Sequence, residues 1–167
     1  MSMARERLGM MQDGSVAYVD VDTSHAITHF AHHPKLREAV ERVIPTLEGG
    51  PEWVRIERDT GEMIGTTDLV ETTEGDDIVY ALRPRRQVYS RFVKGKEARP
   101  TSWITIALHK LGEREYELYT AFVGRNTPSF PGGDYLPEES KAFWANHALV
   151  WDSQDIVPGS ETTTCPW

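Results

Sequence analysis

Four of the six histidines in this 167-residue chain, His25, His29, His32 and His33, fall within nine residues. His25 and His29 are four positions apart, and His29 is three and four positions from His32 and His33. A continuous helix would stack them on one face. Imidazole changes charge near neutral pH and can move a proton in either direction. Three imidazoles on one surface could also hold zinc, a weaker reading because the cluster contains no Asp or Glu and the general-base Glu of an HExxH helix is absent. The third reading is the plain one: histidines decorating a short helix that ends before Pro34.

The second concentration is of charge. Residues 78–110 carry eight Lys or Arg (Arg83, Arg85, Arg86, Arg91, Lys94, Lys96, Arg99 and Lys110) against one acid, Glu97. That stretch is +7 in a chain of net charge −8, so everything else sums to −15. Tyr80, Tyr89, Phe92 and Trp103 are interleaved with it. Cations for phosphates and flat rings for bases form the composition of a single-stranded nucleic-acid surface. Arg83, Arg85, Arg86, Tyr89, Ser90, Lys94, Lys96 and Trp103 are the candidate contacts. The same residues could instead decorate a sheet, with cations outside and rings in the core. A pI of about 5.2 requires any nucleic-acid contact to be local, not a general coating by charge.

These groups need elements to hold them. Ser15–Asp22 alternates as a short strand, and Thr23 or Ser24 offers a hydroxyl N-cap for a helix from His25. A second helix is expected from Pro34, with Leu36, Ala39, Val40, Val43 and Leu47 on one apolar face. Trp53–Arg58 alternates again. Ile78–Arg83, Val88–Val93, Trp103–Lys110 and Tyr116–Val123 are β-rich segments with short connections, most simply an antiparallel meander. In such a meander Ser90-Arg91 and Thr101-Ser102 lie on neighbouring strands, where a guanidinium and hydroxyls could grip and orient one phosphate. Thr120, a hydroxyl among Tyr116, Leu118 and Phe122, is either a buried satisfied threonine or a group at the sheet centre. Glu138–Asn146 reads as a short helix, and the C-terminal Trp167 as a packed tail. The expected class is α+β: N-terminal helices on a central antiparallel meander of about four to six strands.

The length fits one domain, 1–167, with residues 1–14 loose and 125–167 as a C-terminal extension. No apolar run approaches the ~20 residues of a spanning helix, so no membrane role is expected. The polar start is unlike a signal peptide. A single cysteine, Cys165, excludes an internal disulfide and fits a reducing cytoplasm. Nothing forms a phosphate loop, a nucleophile elbow or a paired-cysteine metal frame.

The stretches His29-Phe30-Ala31-His32-His33-Pro34, Tyr89-Ser90-Arg91-Phe92, Thr101-Ser102 and Tyr119-Thr120-Ala121-Phe122-Val123-Gly124 resemble the barnase–EndoU–colicin–RelE superfamily of small ribonucleases, its phage and mobile-element branch above all. The likeness covers residues 24–124. It implies a toxin-like, metal-independent endoribonuclease that cleaves RNA by attack of the ribose 2′-hydroxyl and needs no cofactor. One of His29, His32 or His33 would be base or acid, Arg91 would bind phosphate, and Ser90, Thr101 or Thr120 would orient it. RNA and a cognate protein partner or inhibitor are the implied partners. The alternative is a non-catalytic domain that binds nucleic acid or protein.

Overall fold

The structure, a computed structural model, describes residues 4–167 and forms two compact units. Of the described residues, unit 1 comprises 4–66 and 100–126, and unit 2 comprises 67–99 and 127–167. The 24–124 segment that carries the ribonuclease likeness therefore contributes to both.

Unit 1 begins with β1 (Arg5–Met10) and β2 (Val16–Asp20), an antiparallel pair. β1 occupies much of the leader expected to be loose; residues 1–3 of that leader lie outside the described residues. Two helices follow, α1 (Ala26–His32) and α2 (Pro34–Val43). They are separate because Pro34 disfavours helical backbone at His33, which is extended at φ −129° and ψ 89°. Leu36, Ala39, Val40 and Val43 are the buried face of α2, as their spacing predicts. Next come β3 (Trp53–Asp59) and the short β4 (Gly65–Thr67).

Unit 2 contains β5 (Leu69–Glu71), β6 (Asp77–Ala81) and β7 (Ser90–Lys94). β8 (Arg99–Thr101) pairs with β4 in a two-stranded ribbon, within which the division between units falls. β9 (Trp103–Gly112) and β10 (Glu115–Val123) complete unit 1, and α3 (Glu138–Ala145) and β11 (His147–Val150) complete unit 2.

The α+β class, the N-terminal helices, the mainly antiparallel sheets and the short C-terminal helix are as the sequence predicts. The sheets are partitioned differently from a single run of strands. The hairpins β6–β7 and β9–β10 form as expected but belong to separate sheets, ordered β5-β11-β7-β6 and β1-β2-β10-β9-β3. The physical reason is competition for strand edges. The free side of β7 is taken by β11 in parallel, and the free side of β9 by β3 in antiparallel register. Neither partner is adjacent in sequence.

In unit 1 the helix-facing side of the sheet buries Val54, Ile104, Ile106, Leu108, Leu118 and Ala121 with Leu36, Val40 and Ile44. Full burial of each large aliphatic contributes about 1.5–3 kcal/mol, so this face fixes the register of everything opposite it. The opposite side carries Trp53 and Arg55 on β3, and Trp103, Thr105, Ala107 and His109 on β9. In unit 2 the tail is packed as expected. Thr162 bridges to Tyr80, and Trp167 meets Tyr80 edge-on at 5.3 Å.

Candidate functional site

Arg91 is the second residue of β7, paired to Tyr80 of β6, and is only 9% exposed. Its Nη1 donates to Thr72 Oγ1 at 2.9 Å and to the His147 carbonyl at 2.8 Å, and its Nε donates to Tyr80 Oη at 3.4 Å. The guanidinium thus ties three strands of unit 2 together. Burial pushes the Tyr80 phenol above its ordinary range, keeping it neutral beside that cation. Ser90 alternates to the other side of β7 and accepts a hydrogen bond from Arg83 Nε at 2.9 Å. Thr101 and Ser102 are not on a strand next to β7, contrary to the meander expectation. They organise unit 1 locally: the Thr101 carbonyl accepts from Ile64 N–H, and the Ser102 carbonyl accepts from the Thr60 amide and hydroxyl.

The charge strip of the sequence divides accordingly. Lys96 is paired with Asp76 at 3.4 Å and donates to the Glu71 carbonyl. Lys94 is exposed, with its ammonium 5.1 Å from the Trp151 ring centre. Trp103 belongs to unit 1, where the Arg125 guanidinium covers it at 4.3 Å. Arg83, Arg85 and Arg86 stay together on the loop from β6 to β7, residues 82–89, which Tyr89 closes. Arg85 and Arg86 are exposed, whereas Arg83 is partly buried over the Phe130 ring at 5.8 Å.

The loop's backbone is constrained. Arg86 N–H returns to the Arg83 carbonyl, and Arg85 is the one described non-glycine residue at positive φ, +66°. That left-handed conformation costs a residue with a Cβ roughly 1–2 kcal/mol. Val88 backs the loop against Gly132, where an added Cβ would lie 2.5 Å from Val88 Cγ1. Burial, and secondarily the charge of Arg86, depress the Arg83 pKa. Among the described residues no carboxylate lies within ion-pair distance of these three arginines. Together they form an uncompensated cationic loop.

The four clustered histidines belong to unit 1, and His33 (φ −129°, ψ 89°) departs from the helical backbone that His25 (φ −62°, ψ −18°), His29 and His32 share. His25 precedes α1, His29 and His32 lie within it, and His33 sits in the break before α2. His33 packs on Gly65, where a Cβ would approach its Nδ1 to 2.5 Å. His29 is half-buried, 6.0 Å from the Phe122 ring centre. Burial, reinforced by His33, His32 and His25, holds its pKa below the ordinary 6.5. Thr120 lies on β10 opposite Ala107, beside the face that carries Arg55. Among the described residues no group of three His, Cys, Asp or Glu side chains is arranged to hold a metal ion.

One grouping was not read from the sequence. Thr23, Ser24, His25, His109, Glu117, Leu118 and Tyr119 line a pocket of about 200 Å³ in unit 1. It forms because β2 pairs with β10 only at Glu115–Glu117, leaving the rest of that edge of β10 to α1. Ser24 Oγ caps the transition by donating to the Leu118 carbonyl at 2.9 Å. Trp53 stacks on His109 at 4.3 Å and meets Tyr119 edge-on at 5.4 Å. The cross-strand pair Trp53–His109 was visible as two alternating strands; their register was not.

Comparison with protein-family models, curated proteins and solved structures finds no match to this chain. Its geometry alone must carry the functional reading. Among the described residues no helix is long and apolar enough to cross a membrane.

Proposed function

We propose that the protein binds single-stranded RNA through the β6–β7 loop of unit 2. The observation that carries this is the loop itself: among the described residues Arg83, Arg85 and Arg86 have no carboxylate within ion-pair distance, in a chain of net charge −8. Guanidinium groups grip phosphate oxygens in a fork, and Tyr89 offers a ring for stacking a base. Arg91 is excluded from that grip by its three bonds within the sheet. Polarisation of a labelled, unpaired twelve-nucleotide RNA gives the test. Arg85→Gln with Arg86→Gln should weaken binding roughly tenfold or more, at two lost phosphate contacts, with the melting temperature unchanged. Equal affinity in the double variant ends the reading.

A second reading, metal-independent cleavage by 2′-hydroxyl attack, is favoured by His29. Its depressed pKa leaves the imidazole neutral near pH 7 and ready to accept a proton. Under this scheme His29 is the base, and His32 or His33 the acid. RNA incubated with the protein and a chelator decides: cleavage that disappears in His29→Gln supports it, and RNA left intact by the native protein removes it.

A further inference from the structure

We propose that the unit 1 pocket lined by His25, His109, Glu117 and Tyr119 is a binding site for a small organic cation, an ammonium head group carried on a short alkyl stem. It is distinct from the RNA-binding loop in residues and in charge, and it does not depend on that reading.

Tyr119 supplies the first argument. β9 and β10 shift register between Leu118 and Thr120: Leu118 faces Leu108, Thr120 faces Ala107, and Tyr119 has no partner. A bulge of this kind swings one side chain out of the strand's alternation, and such re-aimed side chains are over-represented next to active sites. Here it leaves a tyrosine 46% exposed at the pocket wall. The ring is nevertheless positioned, with Trp53 edge-on at 5.4 Å and the His25 ring at 5.2 Å.

Charge supplies the second argument. The lining contains one carboxylate, Glu117, and no Lys or Arg. A further carboxylate, Glu52, lies 3.9 Å from His109 Nε2 and is well exposed. The face of an aromatic ring is also the negative end of its quadrupole, so ring and carboxylates favour the same sign of ligand. A phosphate or carboxylate would be opposed by the Glu117 carboxylate and by the ring face, with the Thr23 hydroxyl and the His25 and His109 imidazoles as the donors on the other side of the balance. The same ring system already binds a cation: the Arg55 guanidinium lies 4.5 Å from the centre of Trp53. Trp53 thus carries a guanidinium and an imidazole, while the Tyr119 ring keeps exposed area.

Size supplies the third. About 200 Å³ is below the roughly 300–1,000 Å³ of pockets that hold drug-sized ligands. A head group fills it, and anything larger would have to extend out of its open side.

The experiment follows backbone NMR shifts in the full chain on titration with tetramethylammonium, n-butylammonium, the neutral isostere 3,3-dimethylbutanol, and adenosine monophosphate. The ammonium probes should saturate, with shifts centred on residues 23–25, 109 and 117–119, and the neutral isostere should bind roughly tenfold more weakly. Tyr119→Leu should abolish saturation, Tyr119→Phe should retain it, and Glu117→Gln should weaken it several-fold. Because Tyr119 is exposed, these variants should melt with the native protein. A peptide containing trimethyllysine, compared with butyltrimethylammonium, distinguishes sources: tighter binding of the peptide assigns a protein side chain, and equal binding assigns a free amine. Equal binding of the neutral isostere, preferential binding of adenosine monophosphate, or indifference to Tyr119→Leu would each overturn the proposal.

Discussion

The β6–β7 loop of unit 2 and the pocket of unit 1 both place charged groups beside aromatic rings, but with opposite sign and by different structural means. In the loop three arginines fall within four residues: Arg83 is partly buried and feels the charge of Arg86, while Arg85 and Arg86 are exposed on a strained backbone. In the pocket a carboxylate and imidazoles stand around a tyrosine that a β-bulge has turned out of its strand. Arg91 completes the contrast. It is as basic as the loop arginines, yet it is enclosed by hydrogen-bond acceptors and holds a sheet together. What the residue type can do is therefore decided by the number of neighbouring groups already bound to it.

The largest expected effect tests that contrast directly. Arg91→Met leaves the Thr72 and Tyr80 hydroxyls and the His147 carbonyl without their donor, and should destabilise unit 2 by about 2–4 kcal/mol in urea unfolding. Under conditions where it remains folded, RNA affinity should be unchanged; a loss of affinity at full stability would erase the distinction between Arg91 and the loop. Arg85→Gly acts in the other direction. It removes the Cβ from a left-handed position at φ +66° and should stabilise by about 1 kcal/mol, seen as a raised melting temperature. No change, or a loss, would mean that the loop is not held in that conformation.

The smallest effect concerns unit 1. The His29 pKa is lowered on folding, so the unfolded chain binds the proton more tightly. Stability from this group is complete above the ordinary value of 6.5 and is lost as pH falls from there through the lower folded value. Unfolding measured at pH 7.5 and 5.5 should show the decline, and His29→Leu should reduce it. A pH-independent midpoint would contradict the half-buried placement of His29 against Phe122.

The elements were legible wherever local chemistry fixes them. Pro34 separates the two helices, the apolar spacing from Leu36 to Val43 turns α2 inward, and the alternating runs flanking residues 82–89 and 113–114 make the two hairpins. The partition into sheets was not legible, because β11 reaches β7 and β2 reaches β10 across long stretches of sequence, in parallel, without a turn to announce them. The site divides along the same line. The arginine loop is contiguous, so the sequence displays it whole. The pocket depends on the register of Trp53 against His109 and on one unpaired residue at Tyr119, neither of which strand alternation reveals. The burial of Arg91 did leave a trace. It sits in Ser90-Arg91-Phe92-Val93, a strand buried on both faces whose first solvent-exposed side chain is Lys94.

The central claim is that the loop arginines meet RNA phosphates, and ionic strength tests it most directly. Affinity for an unpaired RNA, measured across a salt series, should fall linearly on logarithmic axes. The Arg85→Gln, Arg86→Gln variant should show a slope shallower by roughly 1.4, about 0.7 for each phosphate contact removed on a single strand. Identical slopes for the native and variant proteins would contradict the account.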